Sequence, residues 1–349
     1  MKKSRILFCL IILSSLLTPS MVSASGSNQT KLLITFSDIN SPQDYVNYYT
    51  FDPLNKKEEH LFRRRADFYP TGVISKDQKS LYINRLEDLG GKSYVGLYHW
   101  PLPAKPNQAP SLLTNRKQIW GVDHLRINDT KGEIYMRVIQ PSQRSAQLAT
   151  YNISKKQTTI WDYPNKDIEV HNFDYNPVTD QVIALEYSLT EEVSNIAQAN
   201  KRQILLKPPA YHVVLYDSMG KKIREVTTIK KHILDISFAP DGKTALFSAT
   251  DQIGSEAKYS VYSLDLTNEK MTALFTETEN YTKIKQPQYS PDSETVYFLT
   301  IKKDAPLLST EVGRKVRPRI LASYNLKTKE ISEVWPKEKG TINNFLILR

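Results

Sequence analysis

Phe238-Ala239-Pro240-Asp241-Gly242-Lys243-Thr244-Ala245-Leu246-Phe247-Ser248 is the stretch on which the fold reading turns. A β-branched or aromatic run ends in Pro-Asp-Gly and is followed at once by a second such run. Pro presets φ, Asp bonds nearby backbone and Gly permits positive φ, so the stretch encodes a β-hairpin. The same unit recurs around Ser75-Lys76-Asp77, Asn128-Asp129-Thr130, Asn176-Pro177-Val178 and Ser290-Pro291-Asp292. The third positions of the five turns lie 53, 48, 63 and 51 residues apart. Three residues before them stand Ile74, Ile127, Tyr175, Phe238 and Tyr289, and four residues after them Leu81, Ile134, Val182, Ala245 and Val296.

Two further strand-like runs follow each hairpin, as in Tyr259 to Leu266 and Met271 to Phe275. Four antiparallel strands in about 50 residues make a β-propeller blade, a unit that buries its faces only against its neighbours. The chain here resembles the TolB-type six-bladed propeller, whose repeat carries an inner strand, a Ser-Pro-Asp-Gly turn and a strand like Ile-Ala-Phe-Ser. Residues 238–248 match it well, Tyr289-Ser290-Pro291-Asp292-Ser293 through Phe298 fairly well, and the other three copies only in periodicity. The resemblance implies an all-β propeller over residues 31–349.

Blade counting supports the same architecture. Lys31 to Ser37, Val46 to Thr50 and Glu58 to Arg63 supply second, third and fourth strands without a first, while Thr341 to Leu348 supplies a first strand without a partner. Joined, they complete a sixth blade and close the ring, removing open sheet edges. The expectation is a single six-bladed domain.

Residues 1–24 read as a signal peptide: Lys2, Lys3 and Arg5, an apolar run from Ile6 to Leu17, and Val22-Ser23-Ala24 as cleavage site. Residues 25–30 read as a flexible N-terminus of the mature chain. The only cysteine, Cys9, lies in the leader, so the mature chain has no disulfide, Cys-ligated zinc or cysteine nucleophile. The leader holds three of the ten net positive charges and the remainder stays basic. No later run is apolar enough to cross a membrane as a helix. A secreted or extracytoplasmic bacterial protein, Gram-positive and monomeric, is the expectation.

In a propeller, the turns joining strands one to two and three to four share one face, the turn face. Loops joining strands two to three and blade to blade share the other, the loop face. The long excursions, Leu189 to Pro209 and Lys302 to Arg319, belong to the loop face, as do Arg63, Arg64, Arg65, Arg116 and Lys117. Long loops on a rigid scaffold carry binding, and one-signed charge favours an anionic partner. The loop face is therefore the expected docking face for a protein or an anionic envelope component. Val193, Ile196, Ala197 and Ile204 recur at helical spacing, so the first excursion is expected to hold a helix, as a lid or packed on the blade edge. Along the inner strands, His124, Arg126, Asn172, Asp174, Asp235 and Gln288 fall on one alternating phase and predict a polar ring around the channel.

The chain lacks His-Glu-x-x-His and Gly-x-Ser-x-Gly. Gly242-Lys243-Thr244 imitates a phosphate loop, but Ser237 stands where its first glycine belongs. No nucleic-acid-binding signature occurs. The leading expectation is a non-catalytic binding scaffold without a cofactor. The alternative is a calcium-dependent propeller hydrolase or lactonase with Asn172, Asp174 and Asp235 as ligands and His124 as general base.

Overall fold

The Pro240-Asp241-Gly242 turn forms as its residue types require. Gly242 adopts φ +68°, its amide donates to Ala239 O at 3.0 Å, and Asp241 Oδ1 accepts from Lys243 N at 2.9 Å. A Cβ at Gly242 would lie 2.5 Å from Thr179 of the preceding blade, so both backbone conformation and blade packing exclude a side chain there. The computed structural model describes residues 30–39, 44–66, 69–105, 108–141, 143–163, 165–254, 257–310, 313–337 and 339–348. Residues 1–24, read above as a signal peptide, and residues 25–29 lie outside the described residues.

Six four-stranded antiparallel sheets follow one another around a central channel. Blade 1 pairs β1 (Lys31–Asp38), β2 (Tyr45–Asp52) and β3 (Lys57–Arg65) with an inner strand supplied from the far end of the chain. Blade 2 holds β4 (Gly72–Ile74), β5 (Ser80–Leu89), β6 (Lys92–Pro101) and β7 (Ser111–Leu112). Blade 3 holds β8 (Gly121–Asn128), β9 (Glu133–Ile139), β10 (Ala146–Asn152) and β11 (Gln157–Ile160). Blade 4 holds β12 (Ile168–Asn176), β13 (Gln181–Ser188), helix α1 (Leu189–Arg202), β14 (Tyr211–Asp217) and β15 (Lys222–Ile229). Blade 5 holds β16 (His232–Phe238), β17 (Thr244–Thr250), β18 (Ser260–Asp265) and β19 (Met271–Thr276). Blade 6 holds β20 (Tyr281–Tyr289), β21 (Thr295–Lys302), a two-stranded excursion of β22 (Leu308–Ser309) and β23 (Lys315–Val316), then β24 (Ile320–Asn325) and β25 (Ile331–Trp335). The last strand, β26 (Gly340–Leu348), pairs with β1 from Lys31↔Leu348 to Asp38↔Gly340.

The ring therefore closes as the blade count predicts. Its seam is apolar: Leu32, Ile34, Phe36 and Phe345 of blade 1 pack with Leu299, Leu321 and Trp335 of blade 6. Trp335 meets Phe36 edge-on at 5.5 Å, and its indole N–H donates to Glu58 Oε2 at 2.9 Å. Fully burying side chains of this size contributes roughly 2–3 kcal/mol each, which ties the two chain ends together without a covalent staple.

Blade 2 reverses the expected loop pattern. Its loop-face connection is only Gly90–Gly91, with φ +57° and +82°, the positive-φ pair that a two-residue hairpin turn demands. Its turn-face connection instead spans the gap between Pro101 and Ser111. The assignment of long connections to one face consequently fails here.

Five inner-strand pairings contain a bulge that the sequence pattern does not announce. The register shifts between Asp123 and Leu125, Val170 and Asn172, Ile233 and Asp235, at Thr35/Phe36 opposite β26, and twice along β20. Each shift interrupts the strict two-residue alternation of the inner strand at that point.

Candidate functional site: the central channel and its two mouths

The fold brings most of the sequence-predicted ring together. His124, Arg126, Asn172, Asp235 and Gln288 line one constriction with Ser237, Gln286 and Asn344, enclosing only about 20 Å³. Asp174 lies toward the turn face, where it pairs with Arg126.

At this waist the polar side chains bond one blade to the next. Between blades 3 and 4, the Arg126 guanidinium donates to Asp174 and His124 Nδ1 lies 3.3 Å from Asn172 Nδ2. Between blades 4 and 5, Asp174 Oδ2 accepts from Phe238 N at 2.8 Å. Between blades 5 and 6, Asp235 accepts from Gln286 N at 2.6 Å and Ser237 Oγ donates to Pro287 O at 2.6 Å. Gln288 Nε2 donates to Phe345 O at 3.0 Å, joining blade 6 to blade 1. Asn344 Nδ2 reaches Thr71 Oγ1 at 3.1 Å, and Asn84 Nδ2 reaches Val122 O at 3.3 Å, completing the circuit through blades 2 and 3. Groups buried this deeply require such partners.

The same employment limits metal binding and acid–base chemistry. Asp235 also accepts from Ser248 Oγ at 3.0 and 3.1 Å, and both Asp174 oxygens are taken. Among the described residues no three His, Cys, Asp or Glu side chains converge closely enough to hold a metal ion. Burial pushes the Asp235 carboxyl up to about 6 and the His124 imidazole down to about 3. Neutral His124 retains a lone pair, but its Nδ1 points at Asn172.

Beyond the waist the channel widens at both ends. The loop-face mouth, about 250 Å³, is lined by Tyr69, Thr71, Asp123, His124, Arg137 and Asn344. Here Arg137 makes a bidentate bond to Asp123, 2.7 Å on each arm, and donates to Val170 O and His171 O at 3.1 and 3.0 Å. Glu169 sits 3.7 Å from Arg137 and accepts from Ala146 N at 2.6 Å. Burial raises its carboxyl to about 7 in spite of that neighbour. Burial, reinforced by the Arg137 charge, lowers His171 to about 4.

The turn-face mouth is larger, about 370 Å³, and differently lined. Val73, Ile74, Ile127, Tyr175, Leu346 and Leu348 supply apolar wall, Lys31 and Lys76 stand among its lining residues, and Arg126 separates it from the waist. Lys31 Nζ donates to Gln78 Oε1 at 2.7 Å. The exposed Lys76 ammonium makes no ion pair among the described residues. The mouth is not evident from sequence because its wall comes from apolar positions flanking the turns, such as Ile74, Ile127 and Tyr175, which have the pattern of core; Lys76, at the centre of the first turn, is the one local signal.

The predicted basic face divides. Arg63, Arg64 and Arg65 line a groove of about 770 Å³ on the flank between blades 1 and 2, with Arg85, Trp100 and Lys105. Arg64 is buried and donates to Tyr48 Oη at 3.4 Å and to Asn84 O at 3.2 Å, so it ties the two blades together. Arg63 stacks on the Tyr45 ring at 3.8 Å and lies 3.8 Å from Asp38. Arg116 is paired with Glu87, and Lys117 lies apart, beside Gln118 and Gln140. The five residues therefore do not form one surface.

This architecture is a six-bladed β-propeller of the TolB type. No protein-family profile matches the chain. It is 30% identical over 186 residues to the uncharacterized protein YdjN of Bacillus subtilis strain 168, a match covering 53% of each chain, about half the length of that relative. TolB from Acinetobacter baumannii superposes with a TM-score of 0.60 at 13% identity, over 90% of this chain and 66% of that one. A putative TolB from Agrobacterium tumefaciens gives 0.55 at 10% identity over 88% and 89%. An oligogalacturonate lyase in complex with manganese gives 0.50 at 10% identity over 89% and 86%. At these identities the likeness establishes fold alone, and that fold carries unrelated activities.

Proposed function

We propose that this chain is a secreted, extracytoplasmic, non-catalytic binding protein that takes an anionic group carried on an apolar chain, such as the carboxylate terminus of a partner peptide, in the turn-face mouth. The observation that carries this reading is the mouth itself. Its volume lies in the range of ligand pockets, and an apolar wall is interspersed with polar groups in which Lys31, Lys76 and Arg126 outnumber the carboxylates Asp129 and Asp174. Lys31 and Lys76 favour a negative group entering the cavity, and Arg126 stands on its inner side. The employment of Asp174, Asp235 and Asn172 in blade-to-blade bonds favours a binder over the calcium-dependent hydrolase. Calorimetry with a short apolar peptide bearing a free C-terminal carboxylate tests it. The peptide should bind, while amidation or Lys76→Glu should each weaken binding about tenfold or more, the scale of a charge-assisted bond. Equal affinity in all three cases would sink the reading.

A second surface is favoured by the convergence of Arg63, Arg65, Arg85 and Lys105 beside Trp100 in the flank groove. An acidic partner segment fits this lining. Arg85→Glu should lower retention of the protein on an acidic polymer such as polyglutamate at low salt, and the difference should fade as salt screens it. Unchanged retention at low salt would remove the groove from consideration.

A further inference from the structure

Helix α1 packs Leu189 and a set of polar side chains toward the protein and shows Val193 and Ile196 to solvent. The helix itself is well specified. Ser188 caps it, Oγ accepting from Glu191 N at 3.0 Å, acids occupy the first turn, Lys201 and Arg202 occupy the last, and Gln203 ends it in the left-handed region. Its inner side is held by polar bonds. Glu192 Oε2 accepts from Tyr187 Oη at 3.2 Å, Glu191 Oε2 accepts from Ala210 N at 3.1 Å, and Asn195 Nδ2 donates to Pro208 O at 3.3 Å. No residue of the helix is buried. Val193 is 62% exposed and Ile196 40%, and just beyond the helix Ile204 is 47% and Leu205 65% exposed. The helix thus lies on the edge of blade 4, as one of the two expected arrangements had it, with these apolar residues turned outward.

Such an orientation spends apolar residues on water unless something covers them. The surrounding charge indicates what does. Lys201, Arg202 and Lys207 are exposed next to the stripe, and none makes an ion pair among the described residues. The blade 6 excursion on the same face repeats the pattern, with Leu307 58% exposed and Arg314 and Lys315 on its short hairpin. Apolar tips flanked by cations match the interface of an anionic bilayer: the tips enter the headgroup boundary while each cation near the surface adds about 1 kcal/mol of attraction. A purely polyanionic polymer would reward the cations and leave the apolar tips in water.

We infer that the loop face, led by α1, rests on an anionic lipid surface. The propeller axis then stands across the bilayer plane, and the turn-face mouth points away from the membrane. This holds the protein at the cell surface after its leader is removed, independently of what the mouth or the flank groove binds.

Co-sedimentation with vesicles tests the inference, using the chain from residue 25, because an uncleaved leader would itself insert and because the ring closes within residues 31–348. The protein should sediment with vesicles of phosphatidylcholine mixed with phosphatidylglycerol and much less with phosphatidylcholine alone. The double variants Val193→Asp/Ile196→Asp and Lys201→Glu/Arg202→Glu should each reduce binding about tenfold or more. These positions are exposed, so both variants should melt as the parent does. Absence of sedimentation, equal sedimentation of parent and variants, or equal binding to both vesicle types would overturn it. A concentration-dependent dimer abolished by Val193→Asp/Ile196→Asp, with no vesicle binding, would assign the stripe to a second copy instead.

Discussion

The waist of the channel and its turn-face mouth are built by the same inner strands and differ in what their polar groups have left to offer. At the waist, Asp235 serves Ser248 and Gln286, and Ser237 serves Pro287 O. At the mouth, Lys76 stands exposed beside an apolar wall. A ring of charged and amide residues invites a catalytic reading, yet here it functions as a belt that fixes blade to blade. The channel widens toward the turns, from about 20 Å³ at the waist to about 370 Å³ at the mouth.

If the belt is structural, the largest effect should come from cutting it. Asp235→Ala removes the acceptor of the buried Gln286 amide and of Ser248 and should cost about 3 kcal/mol of unfolding free energy in urea titrations. A loss below about 1 kcal/mol would mean that the belt does not bind the blades. A smaller effect should appear at the loop-face mouth as a function of pH. Folded Glu169 keeps its proton to about pH 7, whereas in the unfolded chain it ionises near its ordinary value. The folded state thus binds more protons in that window, and stability falls as pH rises from about 4.5 to 7. Glu169→Gln does not titrate, so between pH 5 and 7.5 its stability should gain on the parent by up to about 2 kcal/mol, after allowance for solvent screening. A pH-independent difference would contradict the assigned burial. Smallest in stability should be Lys76→Glu, within about 0.5 kcal/mol of the parent as expected for an exposed position. Its binding loss would then separate the mouth from the belt. A large destabilisation would show instead that Lys76 belongs to the scaffold.

Much of the fold was legible in the hairpin repeat. The Pro/Asp/Asn turns and flanking β-branched and aromatic residues recur in register, and the unpaired strands at the two ends implied their own partnership, realised as β26 on β1. The helix was legible too, from its periodicity. Its orientation was not, because the apolar stripe identifies a face without stating what covers it, and Glu191, Glu192 and Asn195 found partners on the blade. Likewise Arg63, Arg64 and Arg65 look alike in sequence, but strand alternation sends Arg64 between blades and its neighbours outward.

Local turn chemistry and period-two alternation, written residue by residue, already specify six blades, a ring closed by β26 on β1 and a polar phase along the inner strands. Which of those polar groups are consumed, the opening of the larger channel cavity on the turn face and the outward display of Val193 and Ile196 emerge only in three dimensions. Those properties depend on contacts between blades some 50 residues apart, which local sequence patterns do not specify.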